Sequence, residues 1–359
     1  MTGEDCARNR PAAVDLFCGA GGLTLGLKQA GFRVISAIEN DPWAIDTYMT
    51  NHPEVELYSC DIRLVSPVKL MTKLKLAPGE LDLLAGCPPC QGFSSIRTLN
   101  QSNEIEDDRN DLVFEMLRFA EALKPKAIMM ENVPGLAKSP RTTKLVSALG
   151  NLGYTTHFDV LDAQKYGVPQ RRRRMILVAG LKGRIEFAPA TAEKRTVASV
   201  IRSLPEPGGN GDPLHDMVVK RTMAVLDRFK VIPKNGGSWR NLPKRYQLEC
   251  HKKTSTLRGF KDIYGRMSWD DVSPTITGGC TNPSKGRYLH PDEDRAITLR
   301  EAALLQTFTP GYYISLKGGK VAAMRLVGNA LPPEFIRRQS LQIMKYLGDS
   351  KRSHGSDRA

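Results

Sequence analysis

Cys90 stands in the stretch Gly86-Cys87-Pro88-Pro89-Cys90-Gln91-Gly92, three residues after a second thiol. That spacing allows a redox dithiol, half of a zinc site, or a single nucleophile. Zinc takes four ligands, and no second C-x-x-C or paired histidine accompanies this one. A dithiol site belongs after an early strand of a small domain and has no use for a glycine loop elsewhere in the chain. A nucleophile needs a lowered pKa and an exposed loop, and two prolines fixing the backbone would aim its sulfur. Further along, Glu131-Asn132-Val133-Pro134 closes the apolar run Ala127–Met130. A carboxylate at the end of a buried strand is costly unless satisfied. It either caps a neighbouring loop or, paired with a thiol at an adjacent strand end, acts as a substrate-binding acid able to share a proton. In Gln170-Arg171-Arg172-Arg173-Arg174, alternate residues of a strand share a face, so Arg172 and Arg174 point together and Arg171 and Arg173 point away.

A second cluster lies near the N-terminus. Asp15-Leu16-Phe17-Cys18-Gly19-Ala20-Gly21-Gly22 joins a strand to a helix through three glycines, which let backbone turn tightly beside a ligand. Read from Gly19, the third glycine of the dinucleotide fingerprint is replaced by Thr24, so that fingerprint fails. Glu39, about 20 residues on, is placed to accept both hydroxyls of a ribose. An adenosine cofactor follows from these two features, and they leave open which one.

The elements that must position these residues alternate. Short apolar runs at Val14–Phe17, Val34–Glu39, Val55–Ser59, Leu81–Ala85, Ala127–Glu131, Thr156–Leu161 and Met175–Ala179 read as strands, several buried on both faces. Helical patterns lie between them at Leu23–Ala30, Pro42–Asn51, Ser66–Leu76, Asp111–Leu123 and Thr142–Leu152. The expected fold is α/β: an open, mostly parallel, Rossmann-like sheet with helices on both faces, its ligands bound beyond the carboxyl ends of the strands. The glycine loop, Glu39, Asp61, Cys90 and Glu131 all fall at those ends.

The texture changes after Pro189. Pro205–Gly211, Asn235-Gly236-Gly237 and Thr277-Gly278-Gly279 break the chain, and helical patterns return at Thr298–Thr307 and Ala322–Val327. Between Lys182 and His290 stand 20 Lys/Arg against 10 Asp/Glu, which is most of the chain's net charge of +14. A regional basic surplus fits a polyanionic partner. The domains expected are 1–188 with 291–348 for the cofactor and chemistry, a smaller irregular basic domain over 189–290, and a disordered tail over 349–359. Seven scattered cysteines indicate a reduced chain, and no apolar run is long enough for a membrane span or a signal peptide, so a cytoplasmic protein is expected.

In order and at matching strand ends, these motifs resemble the cytosine-5 DNA methyltransferase family of the bacterial modification type. They are Asp15–Gly22, Glu39, Asp61-Ile62, Pro89-Cys90-Gln91, Glu131-Asn132-Val133, Gln170–Arg174, Arg295–Phe308 and Gly328-Asn329. The resemblance implies S-adenosylmethionine as cofactor and S-adenosylhomocysteine as product. It places Phe17, Gly19, Ala20, Gly21, Gly22, Leu23, Glu39, Asn40, Asp61, Ile62, Pro89, Asn329 and Ala330 around the cofactor. It implies Cys90 as the nucleophile toward C6 of a flipped-out cytosine, Glu131 at N3 and the exocyclic amine, and Arg174 at the carbonyl, with Arg172 beside it. The long stretch Phe93–Asp108 reads as a lid. Ser94, Arg97, Arg109, Arg240, Lys244, Arg258 and Arg266 are candidates for contact with duplex DNA, and Ser273–Thr277 resembles the hinge back to the catalytic domain. A monomer is expected, with no metal and with any cognate restriction endonuclease acting separately. Cys87 departs from the pattern and is expected to be packed and inert. Rivals are a transfer-RNA methyltransferase of the same fold, whose Cys-Phe-Thr element is missing here, a catalytically dead DNA-binding relative, and a thiol oxidoreductase needing both Cys87 and Cys90.

Overall fold

The computed structural model describes residues 10–89, 111–217, 219–248 and 262–355. Among these residues one sheet carries seven strands: β1 (Ala12–Leu16), β2 (Arg33–Glu39), β3 (Glu56–Ser59), β4 (Leu83–Gly86), β5 (Ala127–Asn132), β6 (Thr155–Asp162) and β7 (Arg173–Gly180). Every expected strand forms, with its ends displaced by at most two residues. The order is β3-β2-β1-β4-β5-β7-β6. Strands β1 to β5 run parallel, and β7 is antiparallel to both β5 and β6. After β3 the chain crosses back over β1 to begin β4, so the topology switches between β1 and β4. Ligands of open α/β sheets bind at that point.

Local chemistry explains where the connecting helices begin. Helices α2 (Pro42–Asn51), α3 (Pro67–Lys73) and α5 (Pro140–Asn151) each open with proline, and the side chains of Asp41, Ser66 and Ser139 before them accept backbone N–H bonds. Helix α1 (Gly22–Gln29) is different: it follows Gly21 at φ 85 with no side-chain cap. Helix α4 (Val113–Leu123) presents Met116, Phe119 and Leu123 to the sheet.

Strand parity divides the interior. Val14, Leu16, Leu84, Ile128, Met130, Met175 and Leu177 pack in one cluster with Leu70, Met116, Phe119, Leu123, Leu145 and Leu149 of α3, α4 and α5. Each such fully buried side chain contributes about 1.5–3 kcal/mol. Residues of the other parity, among them Asp15, Ala85, Glu131 and Ile176, face the opposite way. Helix α9 (Pro333–Gly355) packs on α1. A Cβ at Gly26 would stand 2.5 Å from the Pro333 carbonyl oxygen, so this approach requires glycine. Within the tail expected over 349–359, α9 continues to Gly355. An established helix extends at one hydrogen bond per residue even through polar sequence.

By its contacts the chain forms two units, one of residues 1–162, 173–190 and 331–359, the other of 163–172 and 191–330. The second unit contains α6 (Met223–Val231), α7 (Leu299–Leu305) and α8 (Gly319–Asn329). Its small core joins Phe229, Ile232, Trp239, Leu242, Ile263, Tyr264 and Leu289. The boundary differs from the compositional one, since residues 291–330 cluster with the second unit. Polar ties hold them there: His215 Nδ1 lies 3.0 Å from Thr298 Oγ1, Arg300 Nε donates to Asp212 at 2.5 Å, and Gln170 Nε2 donates to Gln306 at 3.0 Å. No helix among the described residues is long and apolar enough to cross a membrane.

Candidate active site

Register places one row of side chains across the carboxyl end of the sheet. Asp15 pairs with Ala85, Gly86 pairs with Met130, and Glu131 pairs with Ile176. With alternating faces, Asp15 of β1, Cys87 just after β4, Glu131 of β5 and Arg174 of β7 therefore share a face. Arg174 Nε lies 2.8 Å from Glu131 Oε1, with both side chains largely buried. The register of β4 and β5 sets Cys87 beside the same carboxylate. Burial pushes the Cys87 thiol far above its ordinary value, with the Glu131 and Asp15 carboxyls adding and Arg174 opposing. The turn that leads to Cys90 is tied to this row, because Asn132 Nδ2 donates to the Pro88 carbonyl at 3.0 Å. Cys90 itself lies outside the described residues. A carboxyl held by a guanidinium beside a thiol offers a planar heterocycle an acceptor and, once protonated, a donor.

Asp15 is fully buried. Its Oδ2 accepts from Thr24 Oγ1 at 2.6 Å, and Thr24 Oγ1 lies 2.8 Å from the Tyr48 hydroxyl. Its Oδ1 has no partner among the described residues. Burial raises its carboxyl to about 8, the Thr24 hydroxyl opposing. The loop beyond it turns through positive φ at Phe17, Gly19 and Gly21. Gly19 donates its N–H to Glu39 Oε2 at 2.8 Å, and Glu39 Oε1 accepts from the Asn40 and Asp41 N–H groups at 2.8 Å each. Three backbone donors thus aim Glu39 at the end of β2. Beyond its chain neighbours, no atom of the described residues lies within 4 Å of where a Gly19 Cβ would stand. An open cradle, a fixed carboxylate and an unpartnered buried oxygen fit an adenosine cofactor with a cationic end.

The other expected residues are placed unevenly. Asp61 caps the turn Ile62–Leu64 and accepts from Arg63 Nε at 3.0 Å and Nη2 at 2.6 Å, which holds its carboxyl below the usual range. Ile62 is buried and Pro89 half-buried. Sequence reasoning missed Arg118 of α4, whose Nη1 and Nη2 donate to the Val65 and Ile62 carbonyls at 2.8 Å each. It fastens the turn that carries Asp61 and Ile62. It also pairs with Glu115 three residues earlier on α4, but nothing in sequence links it to residues more than 50 positions away.

Two arginine expectations are corrected. Arg172, expected beside Arg174, clusters with the second unit and not with the sheet. It precedes β7, is buried in the second unit, and donates to the Ile276, Gly328 and Ala330 carbonyls at 2.9 to 3.2 Å. Asn329 and Ala330 end α8 in that unit, where Gly328 is obligatory because its Cβ would stand 2.1 Å from the Thr277 carbonyl carbon. Arg266 is not a DNA-facing cation either. It is fully buried, donating to the carbonyls of His290, Glu293, Phe229 and Ile232 and to Asp294. A guanidinium with five donors satisfies several buried carbonyls where a hydrophobic residue would leave them unpaired. Arg240 and Lys244 are exposed, with Arg240 stacked on Trp239 at 5.8 Å. Ser94, Arg97, Arg109 and Arg258 lie outside the described residues.

Comparison with known proteins bears on what this site does. The sequence profile of the C-5 cytosine-specific DNA methylase family matches residues 12–345. The type II methylase M.HgiDII of Herpetosiphon aurantiacus is 36% identical over 349 residues, covering 94% of this chain and 96% of its own. The type II methyltransferase M1.HphI of Haemophilus parahaemolyticus is 32% identical over 340 residues, covering 92% and 86%. The solved structure of the Entamoeba histolytica methyltransferase EhMeth shares the fold, with a TM-score of 0.67 over 94% of this chain and 99% of that one, at 16% identity.

Proposed function

Since the chain belongs to the C-5 cytosine-specific DNA methylase family, we propose that it methylates C5 of a flipped-out cytosine in a specific duplex sequence through a transient Cys90–C6 bond. The observation that carries this reading is the Arg174–Glu131 pair at 2.8 Å, on the strand ends beside the turn leading to Cys90. Cytosine C5 is a poor nucleophile. Addition of the Cys90 thiolate to C6 moves the C5–C6 π pair onto C5 while Glu131 shares a proton with N3 and accepts from the exocyclic amine. Arg174 donates to the base carbonyl and fixes the Glu131 carboxylate. After methylation a base removes the C5 proton, and the returning electron pair expels the thiolate.

Bound S-adenosylmethionine supplies the methyl group. The Phe17–Leu23 backbone, Glu39, Asn40, Asp61, Ile62 and Pro89 would border it, Glu39 at the ribose. Flipping the base costs a few kcal/mol, about the loss of its stacking and pairing. Arg240 and Lys244 on the basic second unit would hold phosphates during that step. The type II names of the relatives agree with a modification role beside a separately acting endonuclease, and we read the chain as a monomer.

Incubation with methyl-labelled S-adenosylmethionine and genomic DNA from a host lacking the protein tests this. Label should enter duplex DNA as 5-methylcytosine at one recurring sequence, found by bisulfite sequencing. Label in RNA alone, or none in any duplex, would defeat the reading.

A further inference from the structure

Cys87 has no part in the steps above, and its sequence context points to an inert, packed thiol. The sheet gives it a different setting. Its main chain is fixed from three sides. The Cys87 N–H donates to the Leu16 carbonyl at 3.1 Å. Gly86, before it, pairs with Met130 and leaves no room to shift, since a Cβ there would lie 2.7 Å from Met116 Sδ and 2.8 Å from the Leu16 carbonyl oxygen. The Pro88 carbonyl, after it, accepts from Asn132. The register that pairs Gly86 with Met130 brings the next residues, Cys87 and Glu131, side by side on one face.

We propose that Cys87 is a positioning residue for Glu131: its thiol donates to the carboxylate from the β4 side while Arg174 holds it from β7, so the carboxyl keeps the plane in which it meets the base. This rests on the role given to Glu131 above. A thiol is a weak donor toward a neutral acceptor, but a charged acceptor strengthens the bond about twofold. The surroundings also keep the sulfur protonated, as a donor must be and an exchange thiol must not. Asp15 lies on the far side of the thiol in the same row.

The test compares Cys87→Ala and Cys87→Ser with the wild-type protein, with rates normalised to active sites titrated by covalent trapping on duplex DNA containing 5-fluorocytosine. Alanine should lower kcat about fivefold to tenfold and leave the KM for cofactor and for DNA unchanged. Serine keeps a donor at the same place and should restore kcat to within about twofold. Thermal melting should show both variants folded. An alanine variant at the wild-type rate, a serine variant as slow as alanine, or a loss confined to either KM would each overturn the proposal. If the wild-type protein itself traps no DNA, the proposed function fails instead.

Discussion

Arg172 and Arg174 are two residues apart, yet they belong to different units and do different work. In the sheet unit Arg174 reaches a carboxylate at the strand ends, beside the Cys87 thiol. In the second unit Arg172 and Arg266 are wholly buried, their guanidinium groups taken up by main-chain carbonyls. Arg295 and Arg300 there are bound to Glu301 and Asp212. Of these four only Arg266 lies between 182 and 290, and it alone shows that the basic surplus there is not all surface charge. Part of it holds together a unit with few regular elements, where loops leave many carbonyls to satisfy. Charge that faces a nucleic acid must be sought among residues such as Arg240 and Lys244, which are exposed and bear no carboxylate partner among the described residues.

That contrast can be broken most forcefully at Arg266. Replacing it with methionine leaves several buried carbonyls unpaired and Asp294 with Lys234 alone, so stability should fall by about 3–5 kcal/mol, the cost of a few unsatisfied buried groups, read by denaturant unfolding. A loss under 1 kcal/mol with a large drop in DNA affinity would mean that this arginine faces substrate after all. A smaller effect separates architecture from cofactor binding within the sheet unit. Arg118→Met frees the turn of Asp61 and Ile62, and cofactor Kd by calorimetry should rise about tenfold, one charged hydrogen bond's worth, with DNA affinity unchanged. Equal weakening toward both ligands would place Arg118 in general packing. The smallest change is expected at Arg240. Its replacement by alanine should reduce the salt-dependence slope of DNA binding by about 1 across unrelated sequences. An unaltered slope would remove it from the phosphate contacts.

How much of this could be read from the chain depends on range. The strands were plain because parallel strands covered on both faces are continuous apolar runs. The helix start at Pro42 was plain and that at Pro67 was off by one residue, but the one at Pro140 was placed at Thr142 although a capping serine and proline precede it. Glu131 and Arg174 stood out as charges at the ends of apolar runs. Asp15 and Cys87 as neighbours did not, because that adjacency arises from the register of β1, β4 and β5, elements separated by tens of residues. The burial of Arg172 and Arg266 was equally hidden, since residue type argues for the surface and only tertiary carbonyl partners reverse it. The pairing of Asp61 with Arg63 is local and was within reach of a closer reading. Residues 291–330 were assigned by motif order, whereas their contacts come from polar ties to His215, Asp212 and Gln170.

The central claim is that one thiol, Cys90, bonds to the base while Glu131, positioned by Cys87 and Arg174, prepares it. It is tested most directly by incubating the protein with S-adenosylmethionine and duplex DNA that carries 5-fluorocytosine at the target position. The fluorine cannot leave as a proton does, so the wild-type protein should form a denaturation-resistant complex, with mass spectrometry placing the link on the peptide containing Cys90. Cys90→Ser should form none, and Cys87→Ala should still form it. No covalent complex with the wild-type protein, or the same yield from Cys90→Ser, would contradict the account.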